Sequence, residues 1–381
     1  MLFRAIYISA ILFSFLDGEA KNQFKKRSPS ENDSQLLVNS RPAADWYRGN
    51  THAHTVLSGH GDAKPEIVAE WYLKHGYQFL ILSEHNKFID PATVNLPKNR
   101  REDFILVPGV ELTGLNNIHA TAMNVKQAIK YYFPELLKTN ELGKHGPLID
   151  RYVEEVQMAG GEMILNHPNY LWAVDIEDLF YVEELILFEL FNGHPDAKNW
   201  GNEKKISTEQ MWDELLTRGK KIYGVSSDDA HYFLSKDKSL SNPGRGWVMV
   251  NAADLSSESI TEAMRRGQFY SSSGVFLKEL KKEGDNLILE VDIEKSNNES
   301  KKGDVYGKIS SGNELPEWKI EFIGPKGIVL LEILGTKAKF NLSAEHLSKY
   351  AYVRAKVTHN LKSQDGKFES FFAWANPVFS R

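Results

Sequence analysis

The residues best suited to chemistry in this chain are histidines and carboxylates that recur at the ends of apolar runs. His52 and His54, in Gly49-Asn50-Thr51-His52-Ala53-His54-Thr55, are spaced by two. Side chains of an extended strand alternate faces with that period, so both imidazoles point one way and both can reach one divalent ion. A His-x-His pair on a surface strand is more often just solvated, so repetition is what gives this one weight. His60 follows in the next loop. The run 79–82 delivers Ser83-Glu84-His85-Asn86, the run 104–110 delivers Glu111, and His119 comes shortly after. The run 162–165 ends in Asn166-His167-Pro168, and 185–188 leads to Glu189 and then Asn192-Gly193-His194-Pro195. The run 221–225 leads to Ser226-Ser227-Asp228-Asp229-Ala230-His231, where Asp229 and His231 repeat the period-two spacing.

His52, His54, His60, His85, Glu111, His119, His167, Asp229 and His231 are more ligands than one ion needs, which implies two or three divalent ions, with Glu111 able to bridge. The chain has no cysteine, which excludes disulfides, zinc-thiolate centres and cysteine nucleophiles. Paired ions about 3.5–4 Å apart clamp the attacking and leaving oxygens of a phosphoryl or acyl transfer and acidify bound water. The expected nucleophile is therefore a hydroxide generated at the ions, with no protein nucleophile. Among the other histidines, His75, His145, His194, His346 and His359 fit this scheme less well; His194, before Pro195, reads first as a loop residue and, beside Asn192, second as part of the pocket lining. Glu84 reads as a residue that orients a ligand imidazole. Asp228 is the weaker neighbour of Asp229, and Trp71, Trp212 and Trp247 read as packing. Arg245, in Gly244-Arg245-Gly246, reads either as a contact to an anionic oxygen or as part of a surface turn.

Elements must hold these groups together. From 46 to about 273, strand-length apolar runs alternate with helix-like segments, the pattern of an α/β domain. Polar groups gather at one end of those runs, as catalytic groups do at the carboxyl ends of strands in parallel barrels. Pro65 suits the first turn of a helix that Gly76 terminates, and a second helix over 256–266 is stopped by Gly267. Short alternating strands over 287–291, 318–322, 329–333 and 352–357 then predict a small antiparallel β-sandwich over 276–381. The N-terminus carries Arg4, an apolar stretch over 5–16 and small residues at Gly18 and Ala20, which predicts a signal peptide over 1–20 followed by a polar flexible leader over 21–45. The expected location is periplasmic or secreted, with no stable membrane span after cleavage. The 381 residues are 41% hydrophobic and 25% charged, an ordinary soluble composition. A net charge of −5 argues against nucleic acid as a captured partner. Oligomeric state is left open.

The ordered blocks Gly49-Asn50-Thr51-His52-Ala53-His54-Thr55, Ser83-Glu84-His85-Asn86, Pro108-Gly109-Val110-Glu111, His119, Asn166-His167-Pro168 and Ser227-Asp228-Asp229-Ala230-His231 resemble the PHP superfamily, named for polymerase and histidinol phosphatase. Gly246-Trp247-Val248 and the segment 267–274 resemble its exported branch of carbaryl-hydrolase-like metallohydrolases. The resemblance covers about 46–275 and implies a distorted seven-stranded β/α barrel holding up to three ions of zinc, manganese or iron. It implies a first ion on His52, His54, Glu111 and Asp229, a second on Glu111, His119 and His167, and a third on His60, His85 and His231. Glu84 departs from the family's usual Asp before that histidine. The expected activity is an exported metal-dependent hydrolase of a small-molecule ester, a phosphoesterase first and a carboxyl-ester or carbamate hydrolase second. An amidohydrolase barrel fits less well, because it expects a bridging lysine where Glu111 stands. A rival of another class is a non-catalytic, metal-containing glycan-binding protein.

Overall fold

The computed structural model describes residues 45–96, 102–114, 116–129, 145–302, 307–310, 314–343 and 350–379. The signal peptide over 1–20 and all but the last residue of the leader over 21–45 lie outside the described residues. The described chain is mixed α/β, with large sheets and six α-helices among those residues.

Two sheets face each other around the first half of the chain. In one, β1 (Asp45–Asn50), β2 (Phe79–Leu80) and β3 (Ile105–Leu106) run parallel. The other takes β4 (Gly109–Thr113), β5 (His119–Met123), β6 (Glu162–Leu165), β7 (Leu187–Asn192) and β8 (Tyr223–Ser227) in that order, antiparallel as far as β6 and parallel from there. The strands between them read as unbroken apolar runs because both faces are covered. Phe79, Ile81, Val107, Met123, Ile164, Leu187 and Val225 share one buried cluster between the sheets. The helices α2 (Gly146–Met158), α3 (Ile176–Tyr181) and α4 (Thr208–Thr217) cover the outer face of the second sheet, and α1 (Pro65–Lys74) covers that of the first. Pro65 opens α1 and Gly76 follows its end at φ 79°.

The two sheets meet beyond their regular ends. Asp229 N–H donates to His52 O and His54 N–H to Ala230 O, both at 2.9 Å. On the other side Glu111 N–H donates to Glu84 O at 3.1 Å and Asn86 N–H to Glu111 O at 2.8 Å. Ala53 bridges Ala230 and His85 bridges Glu111, each in parallel sense. The segments that stitch the sheets together are the ones that carry the predicted ligands.

The last part of the chain continues the first sheet. Beside β1 lies β9 (Trp247–Ala252), then β10 (Phe269–Ser272), with α5 (Ser257–Arg265) between them in sequence. The three-stranded sheet of β11 (Leu277–Glu283), β12 (Asn286–Val291) and β16 (Lys337–Asn341) packs through Leu287, Leu289 and Phe340 against Ile320, Phe322 and Val357. The helix α6 (Ile293–Ser300) follows β12. The strands β13 (Lys308–Ser310), β14 (Trp318–Gly324), β15 (Ile328–Leu334), β17 (Tyr352–Lys362) and β18 (Phe368–Phe379) extend the large sheet, in which β18 pairs with both β10 and β17.

Two buried arginines fasten this part to the first. Arg48 on β1 lies between the rings of Tyr77 and Trp247, 4.0 and 3.9 Å from their centroids, and pairs with Glu299 on α6. Arg354 on β17 meets both carboxylate oxygens of Asp213 on α4 at 2.7 Å and reaches Glu209 at 3.0 Å. Among the described residues, no helix is long and apolar enough to cross a membrane.

Candidate metal centre

Most of the nine predicted ligands are supplied at or just past strand ends. His52 and His54 lie beyond β1, His85 beyond β2, Glu111 within β4, His119 at the start of β5, His167 beyond β6, and Asp229 and His231 beyond β8. His60 sits in the loop after a short 3-10 turn, Val56–Ser58. The side chains of Glu111, His52 and His54 are fully buried. An open cavity of about 230 Å³ is lined by His60, His85, Glu111, His119, His167, Asp229 and His231, together with Tyr170, His194, Ala197 and Tyr232.

The inner ligands converge on a shared centre. His52 Nε2 and His54 Nε2 are 3.0 Å apart, and each lies 3.3 Å from Asp229 Oδ1. Glu111 presents Oε1 to His52 Nε2 at 3.2 Å, to His119 Nδ1 at 3.3 Å and to His167 Nε2 at 3.5 Å, and Oε2 to His85 Nδ1 at 2.6 Å. Four overlapping groups of three result, each compact enough for one ion. They are His52, His54 and Asp229; His52, Glu111 and His167; His85, Glu111 and His119; and His54, His85 and His231. The first keeps three of the four ligands expected of the first ion. The others share His52, His54 and His85 between neighbouring groups, where the sequence reading kept them apart. His60 stands at the rim, its Nε2 3.3 Å from His85 Nε2.

The opposite edges of these rings are fixed. His52 Nδ1 meets Glu189 Oε1 at 2.8 Å, and since a carboxylate only accepts, the proton sits on Nδ1 and the Nε2 lone pair faces the centre. His54 Nδ1 meets Ser58 Oγ at 2.9 Å, and that hydroxyl donates to Glu84. Glu84 thus steadies an imidazole, as expected of it, but that of His54 through Ser58 and not that of its neighbour His85. His231 Nδ1 lies 2.9 Å from the Asp229 carbonyl oxygen, and its Nε2 is buried with no hydrogen-bond partner. A buried imidazole lone pair with no donor to meet it is what a metal ligand looks like before the ion is counted.

The electrostatics call for positive charge at the centre. Burial opposes a proton on His52, yet Asp229, Glu111 and Glu189 lift its pKa well above the ordinary value. Burial would raise Glu111 and Asp229, but the surrounding imidazoles hold both carboxyls well below their usual range. His231 is pushed down to about 2 by burial and by His54 and His60, and burial lowers His54 as well. The donor set, the inward lone pairs and this field all fit divalent cations.

Two of the candidate ligands carry backbone strain. Asp229 has φ 50° and His167 has φ 23°, in the left-handed region that side-chain-bearing residues avoid. Asp229 therefore does not share an extended strand with His231, and the period-two argument does not apply there. Asp229 reaches the centre because its N–H is anchored on His52 O.

The remaining candidates have other surroundings. Asp228 accepts from Tyr72 Oη at 2.7 Å and from the backbone N–H groups of Gly244, Arg245 and Gly246, so its oxygens are occupied away from the centre. Arg245 is buried, with its guanidinium donating to Gly193 O at 3.2 Å, Lys238 O at 2.8 Å and Asn242 Oδ1 at 2.9 Å, and it does not line the cavity. Trp212 and Trp247 are fully buried, and Trp71 stacks on His75 at 3.7 Å. Sequence reasoning gave Glu189 no role, although it ended an apolar run like the ligands did. Tyr170 and Tyr232 were not singled out, because nothing in their spacing marks them.

No family model and no curated protein matches the chain. Among solved structures, one of the similar chains is described as a two-domain protein containing a predicted PHP-like metal-dependent phosphoesterase, from Bacteroides vulgatus. It is 14% identical, covers 83% of this chain and 91% of its own, and superposes with a TM-score of 0.40. A likeness of that degree carries no weight for function.

Proposed function

We propose that this chain is a PHP-type, multinuclear metal-dependent hydrolase, and a phosphoesterase in particular. The observation that carries the proposal is the meeting of His52 Nε2, His54 Nε2 and Asp229 Oδ1 within 3.0–3.3 Å, with both rings held by hydrogen bonds on their far edges. Divalent ions bound in this ligand set would supply Lewis acidity and a water acidic enough to attack at neutral pH. The chain's own contribution is to place Glu111 where two groups of ligands share it, through Oε1 and Oε2. Asn166 Nδ2 donates to Glu111 Oε1 at 2.9 Å and so fixes which way that carboxylate turns. The cavity is open on one side, as a centre that must admit substrate requires and a closed structural site does not.

The seams at Ala53–Ala230 and His85–Glu111 support reading the two facing sheets as the distorted seven-stranded barrel, with β3 and β4 as one position of the ring. The three-stranded sheet packed on the extended one supports a two-layered β-sandwich at the C-terminus. In this reading the protein is exported and acts outside the cytoplasm on a small ester.

The test is elemental analysis of the purified mature protein, with turnover measured on phosphomonoester, phosphodiester and carboxyl-ester chromogens before and after chelation. Two or three ions per chain and chelator-sensitive phosphoester turnover are expected. Turnover confined to carboxyl esters would move the assignment to the carboxyl-ester or carbamate class. Firmly held metal without turnover on any of them would favour the glycan-binding reading, and protein without metal would sink the proposal. His52→Ala and Asp229→Ala are expected to abolish turnover while leaving the far-ultraviolet circular dichroism intact.

A further inference from the structure

We infer that His194 is a further substrate-contacting residue of this site, donating its Nε2–H to a non-bridging oxygen of the bound phosphoryl group. The inference rests on the phosphoesterase reading and adds a residue to it. His194 lines the same cavity as Asp229 and His231, with its ring edge-on to that of His231 at 5.8 Å between centroids. None of the four ligand groups includes it.

Its hydrogen bonding decides its role. The backbone N–H of Asp196 donates to His194 Nδ1 at 3.1 Å. A ring nitrogen that accepts carries no proton, so the neutral ring has its hydrogen on Nε2. A metal would need the lone pair on Nε2, and the tautomer that offers it would point Nδ1–H at the Asp196 N–H. A second proton on the ring would meet the same obstacle. The arrangement therefore makes His194 a neutral, single-proton donor, suited to stabilising an anionic oxygen and unsuited to ligating an ion or shuttling a proton.

The loop is built to hold that donor still. His194 N–H donates to Asn192 Oδ1 at 2.8 Å, and Ala197 N–H to His194 O at 3.1 Å. Asn192 and Asn199 exchange two hydrogen bonds, at 3.0 and 2.8 Å, and Gly193 N–H donates to Ser227 O at 2.9 Å. Arg245 closes the set through Gly193 O, which makes it a positioning residue for His194. A Cβ on Gly193 would stand 2.7 Å from Arg245 Cβ and 3.0 Å from Asp228 O, so this approach needs glycine. A donor fixed before substrate arrives loses little freedom on binding, which is where such contacts gain their strength.

Two measurements on the zinc-loaded full chain test this. The first is calorimetric titration with inorganic phosphate of the wild type, His194→Ala and His194→Gln, with zinc content measured in parallel. Removing a donor to a charged oxygen is expected to weaken phosphate binding about 10- to 100-fold in His194→Ala. Glutamine, whose amide NH2 falls near the Nε2–H position, is expected to restore part of it, and zinc content should be equal in all three. The second is long-range 1H–15N NMR of histidine-labelled wild type, which should show His194 as the Nε2–H tautomer. Unchanged phosphate affinity in His194→Ala, loss of zinc from that variant, or an Nδ1–H tautomer would each overturn the inference. If His194→Ala does not fold, the tautomer in the wild type decides. A wild type that holds zinc but neither binds phosphate nor hydrolyses an ester overturns the phosphoesterase reading and this inference with it. A competent wild type with an unaffected alanine variant overturns this inference alone.

Discussion

Glu189 does not line the cavity of the candidate centre and belongs to none of its ligand groups, yet four groups donate to it. His52 Nδ1 and the Ser227 hydroxyl reach Oε1, while His167 N–H and Asn192 Nδ2 reach Oε2 at 2.7 and 2.8 Å. One carboxylate thus sets the tautomer of one candidate ligand, His52, and the backbone position of another, His167. Glu189→Gln should keep the shape but remove the charge that holds the proton on His52 Nδ1, lowering metal affinity or activity about 10- to 100-fold. Competition against a chelator measures it, and a variant that retains metal like the wild type would contradict that role. His359 makes a residue-scale prediction of another kind. It stacks on Trp318 at 3.8 Å with its Nε2 buried and unpartnered, and burial, with Lys301 nearby, pushes it down to about 4. Because the unfolded chain takes up this proton near pH 6.5 and the folded chain does not, stability is full above that pH and falls as the pH drops toward 4, by up to about 1.4 kcal/mol per pH unit. Urea unfolding at several pH values should show a slope that His359→Gln lacks.

At the scale of elements, the contact between β1 and β2 depends on what is missing from Gly49. Gly49 pairs across with Phe79, and a Cβ there would lie 2.0–2.3 Å from the Phe79 ring. Gly49→Ala must displace a fully buried ring in the cluster between the sheets, at a cost of about 2 kcal/mol or more. Gly284, in the β11–β12 turn, has nothing within 4 Å of its Cβ position, so alanine there incurs only the strain of a positive φ, about 1 kcal/mol. The difference in melting temperature between the two variants separates packing from backbone strain. The runs 79–82, 104–110, 162–165, 185–188 and 221–225 each contribute to a strand of the facing sheets, because continuous apolar runs have one economical placement, covered on both faces. That their polar sequels gather was legible for the same reason: His85, Glu111, His167, Asp229 and His231 line one cavity. The orienting groups were not: Glu189 and Asn166 act across separations of 137 and 55 residues, and Ser58 depends on Glu84, 26 residues away. Such pairings are set by strand order, which no spacing within one run encodes.

At the scale of the whole molecule, the ties between the two parts are ionic as well as apolar. Arg354, Asp213 and Tyr352 form a buried set between β17 and α4, and Lys356 adds a pair with Glu209 at 2.6 Å. Arg354→Met leaves the Asp213 carboxylate buried without its cation, and should cost about 3–5 kcal/mol. Arg354→Met with Asp213→Leu should recover part of that loss, as a double-mutant cycle in urea would show. The short C-terminal strands 287–291, 318–322, 329–333 and 352–357 were legible from alternation, and each is a strand in the fold. Their joining to the first sheet was not, because β10 and β18 meet across 100 residues or more of chain, at pairs such as Ser272 with Ala373.

That joining bears on how the protein is made. The last of the described strands in sequence, β18, is not an edge: it holds β10, β17 and β13 at once. A nascent chain that has emerged only as far as β10 has an open edge where β18 will lie, and the sheet stays interrupted until β18 has followed. Closure of this sheet thus waits on a strand that lies 100 residues or more further along the chain, and deleting β18 would damage the molecule far more than the loss of a tail.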